Sequence, residues 1–168
     1  MNALLRELRN EVMLNMRGPA HRFFTPTAAF FAALEEFKHL TLVDAGTGMG
    51  QLPDEARKRG FKMVGLDLLR RPGQSESVLF MEAESFPYSD SKWLMMCRPD
   101  HSGWVYDTLE TALKRGAGVF YVGLEDNLLT DLGDYIGRST KAWQKVGKDG
   151  ECMFLFMPSA LLPEDDSF

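Results

Sequence analysis

The stretch Leu42-Val43-Asp44-Ala45-Gly46-Thr47-Gly48-Met49-Gly50 most limits what this chain can fold into. A short apolar run ends on a carboxylate and turns through three alternating glycines, and Pro53-Asp54-Glu55 follows. The pattern predicts a strand, a tight turn and a helix N-terminus, because proline suits the first helical position and acids suit the positive end of the helix dipole. Glycine accepts positive φ and lets a ligand lie against the main chain. A dinucleotide fingerprint, Gly-x-Gly-x-x-Gly, would need glycine at position 51, where Gln51 stands. A nicotinamide-dependent enzyme on a similar fold is therefore the weaker reading. Asp44 at the strand end would repel a pyrophosphate and welcome a cationic ligand.

Downstream, Phe61-Lys62-Met63-Val64-Gly65-Leu66-Asp67 reads as a second strand whose terminal acid lies 23 residues after Asp44, where a ribose-binding carboxylate is expected. Val78-Leu79-Phe80-Met81-Glu82-Ala83, followed by Phe86-Pro87-Tyr88, reads as a third. On these stretches the chain resembles the class I S-adenosylmethionine-dependent methyltransferases, whose first motif is an acid followed by Gly-x-Gly-x-Gly. The resemblance implies S-adenosyl-L-methionine (SAM) as cofactor, a ligand with an ammonium, a sulfonium and no phosphate. It further implies that Asp44 and the backbone of Gly46, Gly48 and Gly50 hold the methionine part. Asp67, with Leu68 beside it, would take the ribose hydroxyls, and Glu82, with Ala83 beside it, the exocyclic amine of the adenine.

Phe23-Phe24-Thr25-Pro26 is similar to the Phe/Tyr-x-Pro element of DNA amino-methyltransferases, which implies Phe24 and Thr25 as contacts to the methionine end. A phenylalanine pair anchoring a turn before a buried helix is the structural alternative. Those enzymes carry Asn/Asp-Pro-Pro-Tyr/Phe after the fourth strand, and this chain departs from them with Cys97-Arg98-Pro99-Asp100-His101.

Leu4, Leu5, Leu8, Val12 and Met13 recur at helical spacing, and Gly18-Pro19 stops that helix. A second helix is expected over residues 28–37, capped by Thr25 or Thr27. The segment after Asp67 has little room for a crossover helix before Val78. Trp93-Leu94-Met95-Met96-Cys97 suits a central strand buried on both faces. The loop that follows holds Asp100 and His101, catalytic candidates because an imidazole oriented by a carboxylate can act as general base. The competing role is that Asp100 or Ser102 caps a helix over residues 104–115. A buried strand is expected over 119–124, with Glu125-Asp126-Asn127 opening its loop and a short helix over 128–136. Residues 143–147 and 151–157 flank Lys148-Asp149-Gly150, a hairpin signal.

Together these imply an α/β fold, a Rossmann-like, mostly parallel seven-stranded sheet with an antiparallel edge hairpin, helices on both faces and an N-terminal helical extension. The expected division is 1–38 for the extension, 39–158 for the SAM-binding domain and 159–168 for a loose acidic tail.

With 168 residues, 45% hydrophobic and 26% charged, one soluble domain is expected. A net charge of −5 disfavours unaided attraction to nucleic acid or anionic membrane. Cys97 and Cys152 show no metal-ligand spacing and read as buried free thiols. No signal segment or membrane span is visible, so a cytoplasmic location is expected. Two functions fit: a SAM-dependent methyltransferase whose acceptor is a nucleic acid, a protein or a small molecule, or a catalytically silent SAM-binding subunit of a larger assembly. A partner subunit or homodimer is compatible with either.

Overall fold

The computed structural model describes residues 23–100 and 103–164; the helix expected around Leu4 to Met13, His101, Ser102 and the last acidic residues lie outside that range. The described elements are α1 (Ala28–Leu34), β1 (Thr41–Ala45), α2 (Gln51–Lys58), β2 (Lys62–Asp67), β3 (Leu79–Phe80), β4 (Lys92–Cys97), α3 (Trp104–Lys114), β5 (Val119–Gly123), α4 (Glu125–Leu132), β6 (Lys141–Trp143) and β7 (Cys152–Phe156). The seven strands form one sheet in the order β3-β2-β1-β4-β5-β7-β6. Pairing is parallel from β3 through β5, and β7 runs antiparallel between β5 and β6.

Alternation along the central strands explains their continuous apolar runs. Val43, Leu94, Met96, Val119 and Tyr121 face one core, built with Val105 and Leu109 of α3. Leu42, Met95, Phe120 and Val122 face the other, built with Phe30 and Leu34 of α1 and Ala56 of α2. Both faces are covered, so the interior positions of these central strands are apolar, with Asp44 the buried exception. No helix among the described residues is long and apolar enough to cross a membrane.

Several local expectations are corrected. β3 spans only two exposed residues, and Ala83–Ser85 form a 3₁₀ turn where a longer strand was expected. Thr27 stands at the N-cap of α1 without capping it; its hydroxyl donates to the Lys145 carbonyl at 3.0 Å. Pro53 is the third residue of α2, still within the turn whose N–H groups lack partners. α4 begins at Glu125, whose charge and that of Asp126 favour the positive helix end.

The hairpin forms with β6 displaced toward the N-terminus. Lys145, at φ 54°, breaks the strand, and residues 144–151 become a loop. The segment 159–164 is pinned by Arg138, whose Nε donates to the Ala160 carbonyl at 2.7 Å.

Candidate active site

Parallel pairing of β2, β1, β4 and β5 brings their carboxyl ends to one edge of the sheet, the edge at which ligands bind in open α/β sheets. The glycine turn after β1 lies there. Gly48 adopts φ +67°, and the nearest atom to a Cβ placed on it is Phe23 Cε1 at 4.0 Å. Its N–H donates to Asp67 Oδ2 at 2.8 Å, and the other carboxylate oxygen accepts the Leu69 N–H at 2.9 Å. Gln74 closes the same loop by donating from Nε2 to the carbonyls of Gly48, at 2.8 Å, and Leu69, at 2.9 Å. Gly50, at φ +80°, is crowded from behind: a Cβ there would stand 2.7 Å from Val78 Cγ2.

Asp44 is 3% exposed. Burial pushes its pKa from 3.8 up to about 7; the Thr47 hydroxyl beside it counters that, the Asp67 charge adds to it, and the Cys97 thiol counters it again. Thr47 Oγ1 is itself buried without a hydrogen-bond partner of good geometry among the described residues. Near neutral pH, Asp44 can therefore exchange its proton for the field of an approaching cation. The Cys97 thiol is pushed upward by burial and by the charges of Asp44 and Glu151, which disfavours a thiolate nucleophile.

Beyond the ribose position, Leu68 is 49% exposed at the end of β2. The Asp67↔Phe80 pairing puts Glu82 and Ala83 just past β3 at the same edge, with Glu82 exposed. The Tyr88 hydroxyl donates to the Ala83 carbonyl at 2.7 Å and fixes that turn.

Residues 23–27 form a strap along the β6–β7 loop. Lys148 N–H donates to the Thr25 carbonyl and Thr27 N–H to the Val146 carbonyl, both at 2.8 Å. Of the phenylalanine pair, Phe24 packs edge-on against Phe30, ring centroids 5.1 Å apart, while Phe23 reaches the glycine turn and is 50% exposed. The ring facing the turn is thus the neighbour of the one expected from sequence.

After β4, Asp100 Oδ1 accepts the Trp104 indole N–H at 2.5 Å. Helix α3 has Gly103 at its N-cap and no side-chain capping bond, so Asp100 orients the indole instead. That ring passes 3.5 Å from where a Gly46 Cβ would be. Asp44, Asp67, Asp100 and the three glycines share one edge, whereas His101 lies outside the described residues.

Arg98 lies in the same loop, at φ 45°, with its side chain 5% exposed. Its Nη1 is 3.0 Å from Asp149 Oδ2 and 3.9 Å from Glu151 Oε2. Glu151 is fully buried, and its Oε1 accepts the Asp149 N–H at 2.8 Å. Phe23, Gln74, Trp104, Arg98 and Glu151 were not assigned roles from sequence. Phe23 carried a signal there as one of the phenylalanine pair, and Trp104 as an aromatic close to Asp100.

This architecture is found in several solved enzymes. The chain is similar to magnesium protoporphyrin IX methyltransferase from Synechocystis PCC 6803, solved with SAM bound, at 12% identity and a TM-score of 0.51, covering 76% of this chain and 74% of that one. It is similar to 1,6-didemethyltoxoflavin-N1-methyltransferase from Burkholderia thailandensis, solved with 1,6-didemethyltoxoflavin and S-adenosylhomocysteine, at 12% identity and a TM-score of 0.53, covering 90% and 84%. A SAM-dependent methyltransferase from Aquifex aeolicus matches at 20% identity and a TM-score of 0.50, covering 76% and 88%. No family model and no curated protein matches the sequence. The chain has the fold of the class I SAM-dependent methyltransferases, a fold whose solved examples act on varied substrates.

Proposed function

We propose that this chain is a SAM-dependent methyltransferase. The observation that carries the reading is the Asp67 carboxylate, bonded to the Gly48 N–H at the carboxyl ends of β1 and β2, beside a glycine turn whose main chain lies open under Phe23. The donor set fits a cofactor with a cationic amino-acid end and a ribose. Asp44 would meet the ammonium, with the Gly46, Gly48 and Gly50 backbone along the methionine part. The carboxylate oxygens of Asp67 each retain a lone pair for a ribose hydroxyl. Leu68 and Ala83 would flank the adenine, and Glu82 would accept its exocyclic amine. Phe23 would cover the methionine end, with Phe24 and Thr25 anchoring the strap that carries it.

Bound SAM supplies an electrophilic methyl group on a sulfonium. In-line displacement asks the protein mainly to hold donor and acceptor at near-attack distance. On the acceptor side, Asp100 would hold the Trp104 ring against the turn, and His101 would take a proton from an acceptor that must lose one. The acceptor would be a nucleic acid, a protein or a small molecule.

Transfer of tritium from methyl-labelled SAM to RNA, protein and small-molecule pools tests the proposal. Label that enters one pool and is lost with Asp67→Ala supports it, and absence of any SAM binding by the wild type contradicts it. Binding without transfer to any pool would instead match a silent subunit.

A further inference from the structure

We propose that Arg98, Asp149 and Glu151 form a clasp that holds the strap of residues 23–27 over the glycine turn, making Arg98 a positioning residue for cofactor entry and release. The consequence for the cofactor rests on the methyltransferase reading; the clasp itself does not.

A continuous path of contacts links the two ends. Arg98 leaves β4 at φ 45°, a conformation that non-glycine residues adopt rarely, and turns its guanidinium into the β6–β7 loop. There it meets Asp149 at 3.0 Å and Glu151 at 3.9 Å. Glu151 braces the loop from inside by accepting the Asp149 N–H, and Gly147 is shaped around it: a Cβ at Gly147 would fall 2.6 Å from the Glu151 carboxylate. The next residues carry the strap, through Lys148 N–H to the Thr25 carbonyl, Thr27 N–H to the Val146 carbonyl and the Pro26↔Gly147 bridge. At Phe23 the strap comes near the turn, with Cε1 4.0 Å from where a Gly48 Cβ would stand.

Electrostatics makes the guanidinium the keystone. Glu151 is fully buried, and its Oε2 has no hydrogen bond among the described residues, so Arg98 supplies the nearby opposite charge. Losing one partner of a buried pair leaves the other charge uncompensated. Phe23 stands beside the glycine turn on a strap bonded to the β6–β7 loop, so loosening that loop would loosen the ring beside the turn. Arg98, just after β4, would thereby position the strap through the β6–β7 loop.

Amide hydrogen exchange followed by NMR on the wild type, Asp149→Ala, Asp149→Glu and Arg98→Gly tests this. Arg98→Gly removes the guanidinium while suiting the positive φ, and Asp149→Ala leaves the buried Arg98 and Glu151 in place. The clasp predicts that Thr27 and Lys148 amides exchange roughly tenfold faster in Asp149→Ala and faster still in Arg98→Gly, with β4 and β5 amides unchanged. Asp149→Glu should restore protection. S-adenosylhomocysteine should leave faster by a similar factor in stopped flow. Wild-type exchange at both amides in Asp149→Ala overturns the clasp, and that variant alone decides if Arg98→Gly fails to fold. A wild type that binds no S-adenosylhomocysteine contradicts the cofactor reading and leaves the exchange result standing.

Discussion

The two sides of the sheet's carboxyl edge are built over different distances along the chain. On the β1–β2 side, the Gly48–Asp67 bond joins residues 19 apart, within a single strand-helix-strand unit. On the β4–β7 side, Arg98 and Asp149 are 51 residues apart, and the Thr27 hydroxyl bonds a carbonyl 118 residues away. The first half is a local motif that backbone geometry nearly completes alone. The second is assembled by the antiparallel return of β7, so its chemistry depends on which loops the topology brings together. The β1–β2 side, the proposed cofactor half, should therefore respond to backbone and carboxylate changes, and the β4–β7 side, the proposed acceptor half, to changes in side-chain orientation.

The largest effect is expected at the glycine turn. Gly50→Ala combines a left-handed φ of +80° with an overlap against Val78. It should cost on the order of 3 kcal/mol, a melting-temperature loss of roughly 6–12 °C in thermal denaturation. An unchanged melting temperature would mean that the turn has slack.

Asp67→Ala comes next. It should weaken SAM binding at least tenfold, about 1.4 kcal/mol by calorimetry, while Asp100→Asn should leave that affinity unchanged. Equal losses in the two variants would erase the distinction between the halves.

Asp44 yields a pH signature. Its folded pKa, about 7, lies above the 3.8 of the free group. The folded state then binds more protons than the unfolded one between those values, so this group's contribution to stability falls as pH rises through that window. Asp44→Asn should remove that fall and melt higher than wild type at about pH 8. A cationic ligand needs the ionised form, so SAM affinity of the wild type should rise about tenfold from pH 6 to 8 and stay flat in Asp44→Asn. An affinity independent of pH in the wild type would remove Asp44 from the ligand's cationic end.

The smallest effect is expected for Trp104→Phe, which keeps an aromatic ring near Gly46 and loses the bond to Asp100. SAM affinity should hold, and turnover should drop by only a few-fold, about 1 kcal/mol or less.

Sequence reading reached the sheet and the turn that joins Gly48 to Asp67 because both leave short-range traces: apolar runs over 93–97 and 119–123, acids at the ends of β1 and β2, glycines between them. It misjudged β3, since Val78-Leu79-Phe80 looks like a strand although only two of its residues pair before the chain turns. It chose Phe24 over Phe23 because nothing local says which ring of a pair faces the core; Phe30, brought by α1, decides that. Arg98 and Glu151 were unreadable for the same reason, their partnership existing only once β7 lies against β5.

The most direct measurement is titration calorimetry of the purified chain with SAM and S-adenosylhomocysteine, with NAD as control. Saturable binding of the first two and none of NAD is the predicted result. Binding of NAD alone, or of none of the three, would contradict the assignment of the glycine turn, Asp44 and Asp67 to a SAM site.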